Sequence, residues 1–150
     1  MPQTLIFYIG KPNKKWFLRD ENYQEIWKEY VRFEEVKDED GFTFDDLKAI
    51  TSWVKKTAKK LLKKKDFDIQ FINFSTYGAS FVHINKDGKP LTSLYNYLKP
   101  YPAKISKGFY KKYGSELAIA QATASPPSGM LNSGLQLYWL KQTQPEVYAN

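Results

Sequence analysis

Along the chain, apolar and polar positions follow a strand period, then a helix period, and then no sustained period. Thr4 to Ile9 is a compact, mostly apolar run, and Lys15 to Arg19 and Glu25 to Val36 follow as two further strand patterns. The polar turn Asp20-Glu21-Asn22 separates the last two, so the opening reads as an antiparallel three-stranded meander. An acidic break, KDEDG, ends it, and Thr43 with Asp46 has the spacing of a capping box. The period then becomes helical: Leu47, Ile50, Trp53, Val54, Ala58, Leu61 and Leu62 form one apolar stripe. Phe67 to Ser75 reads as a largely buried strand, Ser80 to Ile84 as another, and KDGK turns the chain back into Pro90 to Tyr97. KPYP then stops regular structure. Ile105 to Tyr113 predicts a short helix with Phe109 and Tyr113 on one side, and Leu135, Leu137, Tyr138 and Leu140 mark the apolar face of a last helix.

Sheet, helix, sheet in that order predicts a mixed α/β fold. A chain of 150 residues is the size of one domain and buries a core without metal or disulfide. No repeat, low-complexity linker or second domain is visible, and the end at EVYAN reads as a cut through a longer protein. Cysteine is absent, which excludes disulfides and thiolate metal sites. The N-terminus lacks a basic segment followed by a long apolar one, and no apolar run reaches about 18 residues, so the expectation is a soluble, cytoplasmic protein with no membrane partner.

The net charge of +7 raises nucleic acid as a partner, but the lysine-rich run Lys55 to Lys65 explains much of it. The helical stripe turns Lys55, Lys56, Lys59, Lys60 and Lys63 towards water, and the run holds no arginine fork or aromatic platform. A solvated helix face is therefore the expectation, with no nucleic acid. Asp38, Glu39, Asp40, Asp45 and Asp46 lie at a loop and a helix start, where solvation and the helix dipole account for them. His83, the single histidine, has no ligand-spaced partner and reads as structural.

IFYIGKPNKKW raises a sharper question, because a glycine turn rich in backbone donors and lysines suits either an ordinary hairpin or a phosphate. Taken in order, FYIGKPNKK, INFSTYGASFVHINKDGKPL, LYNYLKP and ATASPPSGMLNSGLQLYWLKQTQPEVYA resemble the N-terminal domain of the FGGY family of carbohydrate kinases. The resemblance implies an α/β, ribonuclease-H-like (actin-like ATPase) fold, with a mixed sheet in which the meander is followed by helix and strand units. It further implies an ATP-dependent kinase that uses Mg, a sugar substrate, and a second ATPase-like domain beyond this chain that supplies the general-base Asp. No catalytic residue and no metal ligand is then expected within the chain, and the surface where the partner domain docks makes self-association an expectation.

On that resemblance, Gly10, Lys11, Asn13 and Lys14 are the candidate phosphate-binding residues, and Tyr77, Gly78, Ala79, Tyr95, Asn96 and Tyr97 the candidate sugar contacts. Family members carry Asp where Tyr8 stands and Thr where Pro12 stands. A phenol cannot supply a carboxylate's charge, and proline removes an N–H. Ala124 occupies a position where glycine is usual, which strains it if φ is positive there. Thr123, Ser125 and Ser133 read first as loop and capping residues, then as pocket walls. A non-catalytic binding domain that kept the fold and lost the carboxylate at position 8 is the alternative.

Overall fold

The structure, a computed structural model, describes residues 1–150. The chain forms two compact units, one of residues 1–36 and 45–78, the other of residues 37–44 and 79–150.

The first unit opens with β1 (Gln3–Ile9), β2 (Lys14–Arg19) and β3 (Glu25–Val31), each pairing antiparallel with the next. The third strand pattern does not run to Val36. It stops at Val31, and β4 (Glu35–Lys37) pairs instead with β5 (Thr43–Asp45) in a two-stranded ribbon. Because Thr43 is extended, the expected capping box is absent. Asp46 alone caps α1 (Leu47–Leu61), its carboxylate accepting from the Lys48 and Ala49 amides. β6 (Ile69–Thr76) then joins the sheet parallel to β1, giving the order β3-β2-β1-β6.

The pleat decides what this sheet buries. Leu5 and Phe7 on β1, with Trp16 and Leu18 on β2, face inward at alternate positions and meet Leu61, with Trp53, Val54 and Ala58 of α1 packed around them. Phe7 stacks on Phe74 and meets Trp53 edge-on. Two expectations need correction. Leu62 lies past the helix end and is exposed, and β6, the edge strand, is mostly exposed, Phe71 being 63% so. The lysines at 55, 56, 59, 60 and 63 do face water.

In the second unit, Ser80 to Ile84 and Pro90 to Tyr97 are not strands; a single bridge between Ile84 and Pro90 is all that forms. The bridge is made by the Leu91 amide donating to the His83 carbonyl at 2.8 Å and the Asn85 amide donating to the Lys89 carbonyl at 2.9 Å. Asn85 builds the turn, its side chain accepting from the Asp87 and Lys89 amides, with Gly88 at φ 74°. Helices follow: α2 (Ala103–Tyr113), α3 (Glu116–Thr123), a 3-10 turn (Gly129–Leu131), α4 (Ser133–Thr143) and α5 (Pro145–Tyr148). α3 and α5 were not legible as hydrophobic stripes. The buried face of α4 is Leu135, Gln136, Trp139 and Leu140, not the expected Leu137, which is exposed. Tyr95, Met130, Trp139 and Leu140 form the core here, with Tyr101, Ile105 and Val147 against it.

Candidate functional site

The turn between β1 and β2 is closed by the Gly10 amide donating to the Asn13 carbonyl at 3.1 Å. A Cβ at Gly10 would lie 2.9 Å from that carbonyl and 2.6 Å from the Tyr8 ring, so the turn's own backbone demands glycine whatever else approaches it. The strand begins one residue earlier than its pattern suggested. Lys14 therefore occupies the inward row of Trp16 and Leu18 and is 1% exposed. A buried ammonium needs a counter-charge. Asp45, at the end of β5 and 3% exposed, supplies it, while the Lys11 carbonyl accepts a second bond from Lys14 at 3.0 Å.

Asp45 does more than neutralise Lys14. Its other oxygen accepts from the Tyr77 hydroxyl at 2.7 Å and lies 3.7 Å from the Lys11 ammonium, which also pairs with Glu35. Arg32 donates through Nε to the Asn13 side chain at 2.7 Å. In the first unit, Lys11, Lys14 and Tyr77 thus meet at one carboxylate, while Gly10 and Asn13 close the turn that carries the two lysines. Reading Asp45 as a solvated residue at a helix start was wrong, since its surroundings are Lys14, Lys11 and Tyr77. Arg32, Glu35 and Asp45 were missed as members of this cluster, and the parity of Lys14 with Trp16 and Leu18 was the signal that could have found the last.

At position 8 the phenol is not idle. Tyr8 faces Lys15 across the strands, and the Lys15 ammonium sits 4.6 Å from the Tyr8 ring, 5.1 Å from Phe17 and 5.8 Å from Tyr30. Nowhere in the chain do three histidine, aspartate or glutamate side chains converge as a metal-ligand set. The two carboxylates at the turn, Asp45 and Glu35, are both engaged by lysine. These residues therefore do not fit a Mg site by themselves.

The candidates in the second unit spend their polar atoms differently. The buried Tyr95 hydroxyl donates to Glu39 at 2.6 Å and accepts from Gln144 at 2.7 Å; burial, then the bond to Glu39, push its pKa well above the ordinary tyrosine range. Asn96 donates to the Thr43 carbonyl and accepts from the Leu98 amide. Tyr97 is half-buried. Ala79 adopts φ 61°, and the Gln136 side chain donates to its carbonyl. In the first unit, Gly78 has open space where a Cβ would sit. Asp38, also misread as solvated, is paired with Lys99 at 2.7 Å. Ala124 takes the left-handed conformation at φ 51° as the C-cap of α3. Thr123, Ser125 and Ser133 line a cavity of about 340 Å³ with Phe109, Tyr110 and Leu131. His83 packs edge-on against Phe81, and burial lowers its pKa.

Residues 4–150 match the profile of the FGGY family of carbohydrate kinases, N-terminal domain. The chain belongs to the FGGY family of carbohydrate kinases. Solved structures agree on the fold of this FGGY chain. A xylulose kinase from Lactobacillus acidophilus superposes with a TM-score of 0.79 at 21% identity over 100% of this chain and 30% of that one. A gluconate kinase from the same organism gives 0.78 at 21% identity over 99% and 30%. Plasmodium falciparum glycerol kinase with ADP gives 0.77 at 21% identity over 99% and 30%. The fold is the mixed α/β, actin-like ATPase fold of these kinases. The FGGY chain spans 30% of the length of each, and no curated protein matches it in sequence. No helix is long and apolar enough to cross a membrane.

Proposed function

We propose that residues 1–150 are the sugar- and phosphate-contacting part of a cytoplasmic, ATP-dependent carbohydrate kinase that moves the γ-phosphoryl group onto a sugar hydroxyl. Beyond the family match, one observation carries the reading: Asp45 ties Lys11 and Lys14 of the glycine turn to Tyr77 of the candidate sugar loop. Phosphoryl transfer depends on positioning, and a shared carboxylate holds the two sets of groups in fixed relation. Backbone amides of the turn and the Lys11 side chain are the groups here suited to the end of a polyphosphate. In the first unit the phenol of Tyr77 and the backbone at Gly78, and in the second, taken by itself, the backbone at Ala79 with Asn96 and Tyr97, are groups of the kind that suits a polyol's apolar patch and hydroxyls. ATP supplies the phosphoryl group and Mg its charge neutralisation. The Mg ligands and the general base belong to a second ATPase-like domain in this reading, and no step is assigned to them from these residues.

A second reading, a binding domain without catalysis, is favoured by one feature. At position 8 Tyr8 carries the Lys15 ammonium on its ring, and the turn's two other lysines are already paired with carboxylates. Tyr8→Asp in the full-length protein separates the two. With ATP and a panel of ketoses, aldonates and polyols, a gain in turnover of roughly a hundredfold supports a kinase weakened at this position. Unchanged turnover with retained sugar binding supports the binding domain, and neither turnover nor binding by any sugar overturns the carbohydrate reading.

A further inference from the structure

Gln136 is 2% exposed on the inward face of α4, a position where a helix facing a core normally carries an apolar side chain. Its side-chain nitrogen has two hydrogens and faces two backbone carbonyls, those of Met130 and Ala79. Two acceptors on one end of an amide fix which end is nitrogen. The Met130 carbonyl belongs to the turn that leads into α4, so that bond is local. The Ala79 carbonyl is 57 residues away in sequence. Ala79 stands at φ 61°, a conformation that a residue with a Cβ rarely adopts and that persists only where its surroundings impose it. The next residue is held too, the Ser80 hydroxyl donating to the Tyr95 carbonyl at 2.8 Å.

We propose that Gln136 is a positioning residue for the sugar loop: by binding the Ala79 carbonyl it holds that residue in the left-handed conformation and sets the direction of the backbone groups offered to substrate. The proposal rests on the sugar-binding reading above. The same nitrogen also satisfies the buried Met130 carbonyl, but it is the Ala79 carbonyl, far away in sequence, that ties α4 to the loop. Rotating either φ or ψ of Ala79 moves its carbonyl oxygen, so a bond to that oxygen restrains both torsions that separate left-handed from extended backbone.

The test uses Gln136→Met, which keeps length and helix propensity and removes both donors, and the double variant with Ala79→Gly, for which the left-handed region carries no penalty. Ala79's conformation is read by NMR from its amide-to-Hα coupling and carbon shifts. Sugar affinity is read by calorimetry with D-xylulose, D-gluconate and glycerol. Gln136→Met is expected to release Ala79 from positive φ and weaken binding of the preferred sugar about tenfold, with the double variant regaining most of it. Ala79→Val, which leaves the core intact, is expected to weaken binding similarly, so a misfolded Gln136→Met does not stop the test. Unchanged affinity in Gln136→Met, or a double variant no better than the single one, overturns the proposal. Should the parent bind none of the three sugars, the sugar-binding reading falls and the substrate role with it. The coupling measurement still decides whether Gln136 holds Ala79.

Discussion

Each unit buries one lysine against an aspartate from the same short acidic stretch, and the two arrangements do different things. In the first unit Lys14 reaches the interior by strand parity, and its partner Asp45 is shared with Lys11 and Tyr77. In the second, Lys99 lies between Asp38 and Asp40, at 2.7 Å and 2.6 Å, with its ammonium 5.3 Å from the Tyr95 ring and 5.2 Å from that of Trp139. Buried ion pairs add little net stability compared with a well-packed apolar pair, so what each one orients matters more than its energy. Asp45 orients candidate substrate groups. Asp38 orients the loop that carries it, accepting from the Asp40 and Phe42 amides as well as Lys99.

The largest effect that tests this contrast is at Asp45. Asp45→Ala strands a buried ammonium and takes away the acceptor of Tyr77, and is expected to cost about 4 kcal/mol in urea unfolding. A cost no greater than that of Lys59→Ala, on the solvated face of α1, would break the assignment of Asp45 as a hub. Lys99→Met ranks next, at about 3 kcal/mol, because Asp38 keeps its two backbone donors when the ammonium is lost. Its damage is expected to be confined to one unit. Amide exchange should quicken at residues 38–42 and 95–99, while the strands holding Trp16 and Leu18 keep their protection.

Much of the first unit was legible because Thr4 to Ile9 is a compact apolar strand run and α1 repeats at the helical period, so Ile50 and Leu61 announced the helix's buried face. The failures have local causes. Lys14 looked like a turn residue because a charged side chain rarely occupies an inward strand row, and missing it meant missing Asp45. β6 looked buried because Phe71, Ile72 and Phe74 are apolar, yet a strand's burial depends on neighbours that periodicity does not reveal. In the second unit Asn85, Asn96 and Ser80 direct the chain through side-chain bonds, which leave no periodic trace. Gln136 was invisible for the same reason: its role depends on a carbonyl far away in sequence.

The smallest expected effect is one of pH, and it concerns Asp38. Burial alone would raise its carboxyl above the ordinary 3.8, but the bonds from Lys99 and from the Phe42 and Asp40 amides outweigh burial and leave it lower. Lys99, which burial alone would lower, is held above its ordinary 10.5 by Asp38 and Asp40. The signs follow from which state binds more protons. Between 3.8 and its depressed folded value, Asp38 is protonated in the unfolded chain and ionised in the folded one, so its contribution is complete above 3.8 and is lost as pH falls through the folded value. Lys99 mirrors this, contributing fully below 10.5 and losing its contribution as pH rises through its raised value. Urea midpoints measured from pH 5 downward should therefore fall more steeply in the parent than in Asp38→Asn, which cannot ionise. If both chains lose stability along the same slope, the Asp38 carboxylate is not what fastens the loop, and the contrast with Asp45 loses its second half.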